Sequence, residues 1–267
     1  MSRISSKFEE LKRTNRKGFI PFVTAGDPDL KTSVAIVLKL AELGADIIEL
    51  GVPFSDPMAD GPTIQRSSER ALACGVTLNK VLDLATEIRK QSDVPLVLFS
   101  YFNPILRFGL DEFEKAVSAA RIDGVLLTDV IENEAAAISQ RFAKHGIDLI
   151  SLVAPTTTDA RLKAICDNAR GFIYTVSRAG VTGAQASTSS TAEELVNRTR
   201  QFTDLPIAVG FGISTAAQIS EVWEYADAAV VGSAIVSVIE NSGDNAVLEV
   251  ENFVAGLVPN AAAVFSE

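Results

Sequence analysis

The chain has few of the side chains that hold metals or form disulfides. It contains two cysteines and one histidine among 267 residues. Cys74 and Cys166 lie far apart and match no metal-ligand spacing, so we expect free thiols in a reducing compartment. With one histidine and no cysteine cluster we predict no metal site. The histidine, His145, precedes Gly146 at a predicted helix end and receives no catalytic role.

Positive charge and long hydrophobic runs are also scarce. The chain has 24 basic and 34 acidic side chains, a net charge of −10, which argues against general nucleic-acid binding because no basic stripe is available for phosphates. The N-terminal segment lacks the apolar region of a signal peptide, and no stretch approaches the length of a membrane span. We therefore expect a soluble, cytoplasmic protein.

Apolar runs alternate regularly with amphipathic segments along the whole chain. The apolar runs predict eight strands, at residues 19–24, 45–52, 95–101, 124–129, 149–154, 172–177, 206–210 and 228–231. The amphipathic segments predict helices at residues 30–43, 79–91, 110–121, 134–145, 159–167, 192–202, 215–225 and 245–257. An extra helix is predicted before the first strand, at residues 5–14, and is expected to cap the barrel floor.

Eight strand-then-helix units in a chain of this length predict an α/β fold, a (β/α)8 TIM barrel with an extra N-terminal helix and a short extra helix after strand eight. The chain contains 47% hydrophobic residues, enough for one large core, so we expect residues 1–267 to form a single domain. An open doubly wound sheet is the competing architecture. No GxGxxG motif follows the first strand, which disfavours a dinucleotide-binding fold.

Two carboxylates lie in the segment IIELGVPFSDPMADGP, residues 47–62. Glu49 interrupts a strand that is apolar on both faces, and Asp60 lies on the following loop. A carboxylate taken out of water finds a partner or raises its pKa, and a raised pKa suits proton transfer near neutral pH. A structural ion pair is the alternative interpretation of Glu49.

The active site of such a barrel lies at the carboxyl ends of its strands, where several polar and aromatic residues occur. They are Phe22, Thr24, Glu49, Asp60, Tyr101, Asn103, Asp129, Tyr174, Thr175 and Arg178. Tyr101 and Asp129 are predicted to contact substrate. No lysine ends a strand, which disfavours a Schiff-base mechanism.

Glycines in the last two units predict a phosphate site. GFGIS, residues 210–214, ends strand seven, and VGSAI, residues 231–235, ends strand eight. Amides of Gly212, Gly232 and Ser233 are expected to converge on an anion, although tight turns alone would also explain the glycines. The loop at residues 177–190, rich in small and polar residues, is predicted to be a mobile lid.

Five motifs together resemble the tryptophan synthase α subunit family, from about Phe8 to Leu257. They are ELGVPFSDPMADGPTIQ, SYFNPILRFG, SRAGVTGA, GFGIS and GSAIV. The resemblance implies a barrel that cleaves indole-3-glycerol phosphate to indole and glyceraldehyde 3-phosphate without a cofactor of its own. It also implies an α2β2 assembly with a β subunit, which carries pyridoxal phosphate and receives the indole.

The resemblance further implies roles for individual residues. Glu49 would be the catalytic acid and base, and Asp60 would hold the indole N–H. Tyr174 would line the site, Phe22 would lie against the indole, and Gly183 would join the phosphate ligands. Thr182 on the predicted lid would reach Asp60 on closure.

The loop between the two carboxylates is the predicted partner interface. Pro53 stiffens its start, and Asp56 and Pro57 follow, so a docked protein would be able to move Asp60 into place. Val130 and Ile131 depart from the family, which often has a proline leading into an acidic pair after the residue matching Asp129. This departure puts the shape of the fourth loop in question.

Three alternatives remain at this stage. A stand-alone indole-releasing lyase would share nearly all of these motifs. A phosphate-binding barrel isomerase would use a second strand-end carboxylate such as Asp129. A non-catalytic activator is disfavoured by the retention of both carboxylates.

Overall fold

The computed structural model describes residues 2–130, 132–176, 188–210 and 212–258. Within these residues, eight parallel strands pair in sequence order, and the last pairs with the first to close a barrel. The strands are β1 (Gly18–Thr24), β2 (Ile48–Gly51), β3 (Leu96–Ser100), β4 (Gly124–Leu127), β5 (Asp148–Val153), β6 (Ile173–Val176), β7 (Ile207–Gly210) and β8 (Ala228–Val231). The predicted barrel is confirmed, and the open doubly wound sheet is excluded.

Helices precede, connect and follow the strands. They are α1 (Arg3–Arg13), α2 (Leu30–Glu42), α3 (Pro62–Ala73), α4 (Leu78–Arg89), α5 (Phe102–Phe108), α6 (Leu110–Ala119), α7 (Glu132–Ala143), α8 (Asp159–Asn168), α9 (Thr188–Thr199), α10 (Ala216–Tyr225), α11 (Ser233–Ser242) and α12 (Ala246–Leu257). A 3-10 turn, Gly243–Asn245, joins the last two. None of the helices in the described ranges combines the length and apolar composition needed to cross a membrane.

Helix α1 closes the amino-terminal end of the barrel, as predicted. Its buried residues Ile4, Phe8 and Leu11 belong to the apolar cluster inside the barrel. The rings of Phe8 and Phe172 have centroids 5.6 Å apart. With this end filled by side chains, a substrate site has room only at the opposite, carboxyl end of the strands.

Two helices near the site, α3 and α5, were absent from the sequence prediction. Helix α3 begins with Pro62, whose missing N–H is harmless in a first turn. Helix α5 likewise carries Pro104 in its first turn. Each proline lies at the one part of a helix that tolerates proline.

Aspartates fasten neighbouring βα units at the floor of the barrel. The backbone N–H of Phe19 donates to Asp46 over 3.0 Å, and that of Leu96 donates to Asp123 over 2.9 Å. The N–H of Ile207 donates to Asp227 over 2.8 Å. These side chains satisfy amides at strand starts, so the frame beneath the site is cross-linked between consecutive units.

Thr175 offers a test of how the wall of the barrel is packed. It is fully buried in β6, and its hydroxyl has no hydrogen-bond partner among the described residues. A buried unpaired hydroxyl costs about 1–3 kcal/mol, so we expect Thr175→Val to raise the free energy of unfolding by about 1 kcal/mol. Chemical denaturation monitored by circular dichroism measures this change.

The matched control is Thr24→Val. The Thr24 hydroxyl lies 2.6 Å from the Ser67 hydroxyl in an equally buried setting. Removing it breaks a hydrogen bond, so this variant should lose about 1 kcal/mol. Equal destabilisation by both substitutions would contradict the assignment of an unpaired hydroxyl to Thr175.

Candidate active site

Glu49 is a fully buried carboxyl group inside the barrel. Its Cα is in register with Phe22 on β1 and Val97 on β3. Among the described residues neither carboxyl oxygen has a hydrogen-bond partner. Burial raises the pKa of Glu49 to about 8. The structure therefore provides no ion pair for Glu49 in its described part, and the group is mostly protonated at neutral pH.

Asp60 precedes helix α3 at the mouth of the barrel. Burial raises its pKa to about 6, and the neighbouring Tyr101 hydroxyl opposes this shift. The Ala59 N–H donates to the Tyr101 hydroxyl over 2.8 Å. Tyr101 thus anchors the loop that carries Asp60, and Asp60 is mostly ionised at neutral pH.

The main chain of Asp60 is held by a residue that the sequence analysis did not select. Gln65 Nε2 donates to the Asp60 carbonyl oxygen over 2.9 Å. Gln65 lies one turn into α3, a helix that the sequence did not predict. The segment PTIQ was visible as part of a motif, but only the helix turns Gln65 back toward Asp60.

Tyr174, on β6, belongs to the apolar cluster inside the barrel. It is buried, and its pKa is raised well above the ordinary value by burial and by the charge of Glu49. A β-carbon on Gly210 would lie 2.1 Å from the Tyr174 hydroxyl oxygen. Gly210 therefore leaves the space into which the Tyr174 hydroxyl fits. Tyr174 also lies close enough to Glu49 for the charge of Glu49 to raise its pKa.

Phe22 provides an apolar surface on β1, in register with Glu49 on β2. Its ring packs edge-on against Phe99, with centroids 5.4 Å apart. A β-carbon on Gly51 would lie 2.5 Å from the Phe22 ring. A flat aromatic substrate would meet Phe22 beside the buried carboxyl group of Glu49.

The predicted phosphate glycines lie after β7 and β8. Gly212 has φ +74° and open space where its β-carbon would be, so its main chain can approach a ligand closely. Gly232 precedes α11, and no side chain caps that helix. The amides that begin at Ser233 therefore remain available to an anion, in the partial positive field of the helix.

The remaining predicted residues have mixed placements. Thr182 and Gly183 lie outside the described residues, as do residues 177–187 of the lid predicted at 177–190, whereas residues 188–190 begin helix α9. Pro53 is buried and Asp56 is exposed. The exposed Asp129 accepts a hydrogen bond from the Phe102 N–H over 2.7 Å, a main-chain contact that leaves its substrate role a prediction.

Comparisons with known proteins agree on one family. The family model described as tryptophan synthase alpha chain matches residues 8–262. The tryptophan synthase alpha chain of Geobacter sulfurreducens is 51% identical over 240 residues, covering 90% of this chain and 91% of the relative. That of Burkholderia thailandensis is 50% identical over 259 residues, 96% of each chain.

Solved structures agree with these sequence matches. Tryptophan synthase subunit alpha from Legionella pneumophila has a TM-score of 0.89 at 34% identity, covering 98% of this chain and 99% of that one. The aminoacrylate-bound tryptophan synthase from M. tuberculosis has a TM-score of 0.87 at 35% identity, covering 99% and 100%. The similarity extends over nearly the whole barrel.

Proposed function

The chain belongs to the tryptophan synthase alpha chain family, and on this premise we propose how its site performs the reaction. It is a carbon–carbon lyase of tryptophan biosynthesis that cleaves indole-3-glycerol phosphate to indole and glyceraldehyde 3-phosphate. The observation that carries the mechanism is the buried, unpartnered carboxyl group of Glu49. We take residues 1–267 as one catalytic domain.

Glu49 acts as the acid and then as the base. The bond between the indole ring and the glycerol chain breaks when the ring carbon gains a proton and the neighbouring hydroxyl loses one. A protonated Glu49 supplies the first proton, and the resulting carboxylate accepts the second as the aldehyde forms. A pKa of about 8 keeps both forms accessible near neutral pH.

Asp60 stabilises the positive charge on the protonated ring. Its carboxylate accepts a hydrogen bond from the indole N–H, while Tyr101 and Gln65 hold it in place. Phe22 and Tyr174 line the indole pocket, and Asp129 lies at its edge. Thr182 is proposed to reach Asp60 when the lid closes and excludes water.

The phosphate of the substrate binds at the ends of β7 and β8. Amides of Gly183, Gly212, Gly232 and Ser233 are its proposed ligands, supported by the uncapped start of α11 and the open space at Gly212. This binding is remote from the reacting bond, so its energy can be used to orient the substrate.

We propose that the chain needs no cofactor of its own and works in the cytoplasm. Its proposed partner is a tryptophan synthase β subunit in an α2β2 assembly, with pyridoxal phosphate only in that subunit. Support comes from the loop after β2, where Pro53 leads into the exposed Asp56 and Met58 is 96% exposed. Leu106, on the helix after β3, is also exposed and adds apolar surface for docking.

The function is tested by incubation with indole-3-glycerol phosphate while indole and glyceraldehyde 3-phosphate are measured. We expect the two products in equal amounts, with weak turnover alone and a rise of ~10-fold or more with a β subunit. Asp56→Ala should reduce this rise far more than it changes the rate without partner. Full activity alone, with no association in light scattering, would favour a stand-alone indole-releasing lyase.

Gly232→Val tests the phosphate site. The added side chain occupies space beside Phe22 at the start of α11, so KM for indole-3-glycerol phosphate should rise by ~10-fold or more. The dephosphorylated substrate, indole glycerol, should be affected much less. A variant that prefers the phosphorylated substrate as strongly as the parent would place the phosphate elsewhere.

A further inference from the structure

Two helices begin near the proposed site residues. Helix α3 starts at Pro62, two residues after Asp60, and α11 starts at Ser233, at the proposed phosphate site. The two helices pack against each other. Any contact that fixes one helix relative to the other therefore also relates the phosphate site to Asp60.

Four charged residues, here called the α3–α11 cluster, form such a contact. They are Asp27, Arg66, Arg70 and Glu240. Arg66 donates to both carboxylate oxygens of Glu240, each over 2.7 Å. Arg70 donates to Glu240 over 2.8 Å and, with two further nitrogens, to both oxygens of Asp27 over 2.8 Å each. Glu240 thus receives three hydrogen bonds from two turns of α3.

The cluster contributes more to geometry than to stability. The Arg66 side chain is 50% exposed and that of Glu240 22% exposed, and exposed ion pairs stabilise proteins weakly. Bidentate arginine–carboxylate pairs nevertheless fix both distance and orientation. Hydrogen bonds from Arg66 lower the pKa of Glu240 to about 2, so Glu240 stays ionised at neutral pH.

Helix α3 is also tied directly to Asp60 and to the barrel. Gln65, next to Arg66 in sequence, holds the Asp60 carbonyl. Ser67, on the other side of Arg66, contacts the buried Thr24 hydroxyl at the end of β1. A displacement of Arg66 would therefore be transmitted to the main chain of Asp60.

We propose that Glu240 is a positioning residue that couples phosphate binding at the start of α11 to the placement of Asp60. An anion bound to the Ser233 amides fixes the position of α11. Because Glu240 on α11 accepts hydrogen bonds from Arg66 and Arg70, the position of α11 then determines that of α3. Binding energy of the phosphate is thereby used at the carboxylate that holds the ring. This inference rests on the proposed phosphate site.

Indole glycerol and inorganic phosphate supplied as separate molecules test the coupling. In the parent, phosphate should accelerate cleavage of indole glycerol by ~10-fold or more, because it occupies the remote site without being part of the substrate. Glu240→Gln should bind phosphate with an affinity within ~3-fold of the parent and lose most of this acceleration. With indole-3-glycerol phosphate, its kcat should fall ~10-fold while KM changes little.

Two further variants serve as controls. Glu251, on α12, pairs with Lys39 on α2, outside the cluster. Glu251→Gln removes this carboxylate and should keep the acceleration of the parent. Arg66→Gln removes one half of the contact to Glu240 at a half-exposed position and should give an intermediate loss. Arg66→Gln also keeps the test decisive if Glu240→Gln folds poorly.

The outcomes separate the coupling from the phosphate site. Undiminished phosphate binding by Gly232→Val would show that the proposed phosphate site is wrong. Normal phosphate binding in the parent without acceleration, or full acceleration in Glu240→Gln and Arg66→Gln, would overturn the coupling alone. A loss in Glu251→Gln as large as in Glu240→Gln would also overturn it.

Discussion

Replacing Glu49 by glutamine is expected to lower kcat by ~10² or more, because glutamine keeps the shape of the side chain but cannot exchange a proton. Steady-state release of indole from indole-3-glycerol phosphate measures this loss. The site walls formed by Phe22 and Tyr174 should be unchanged. Binding of glycerol 3-phosphate should therefore remain close to that of the parent.

A turnover within a few-fold of the parent would remove Glu49 from the acid–base role. Loss of turnover together with loss of glycerol 3-phosphate binding would instead indicate a collapsed site. Binding by calorimetry distinguishes these two results, since it does not depend on the chemical step.

The same variant reports the raised pKa of Glu49 through stability. Between pH 4.5, the ordinary pKa of a glutamate side chain, and about pH 8, Glu49 of the folded protein retains a proton that the unfolded chain releases. Glu49 therefore makes the free energy of unfolding fall as pH rises through this window and level off above it. The parent should lose a few kcal/mol relative to Glu49→Gln between these limits, measured by denaturation at each pH. Equal pH dependence in both proteins would mean that the pKa of Glu49 is not raised.

Replacing Asp60 by asparagine should lower kcat by a similar factor, on the order of 10². The substitution preserves the shape of the side chain and removes the negative charge that stabilises the protonated ring. Since burial holds the pKa of Asp60 at about 6, activity of the parent should fall as pH drops below that value. The acid limb of the kcat/KM profile due to Asp60 should be absent from the variant.

Tyr101→Phe is the companion measurement. The substitution removes a hydroxyl that accepts a hydrogen bond from the Ala59 N–H. In the parent, this hydroxyl also lowers the pKa of Asp60, so its loss should raise that pKa. The acid limb of this variant should move to higher pH, whereas that of Asp60→Asn should vanish. A normal rate in Asp60→Asn would mean that another group holds the indole N–H.

Much of the barrel was predictable because its signals are local. Apolar strands such as β4 (Gly124–Leu127) and amphipathic helices such as α2 (Leu30–Glu42) repeat in a regular order, and each is encoded by neighbouring residues. Helices α3 and α5 were missed because each contains a proline, and proline is unfavourable in most positions of a helix. Pro62 and Pro104 lie in first turns, where proline is tolerated. Elsewhere the predicted boundaries differ from the observed ones by a few residues, because the ends of helices and strands are not sharply defined.

The sequence by itself determined the order of eight strand–helix units and singled out Glu49, because a glutamate within an apolar strand is conspicuous without any tertiary contact. Only the tertiary structure decided that the two oxygens of Glu49 lack partners among the described residues and that Tyr174 lies against Gly210. It also decided that Arg66 meets Glu240, 174 positions along the chain. Closure of the barrel brings such distant residues together, and no local periodicity records which side chains then face one another.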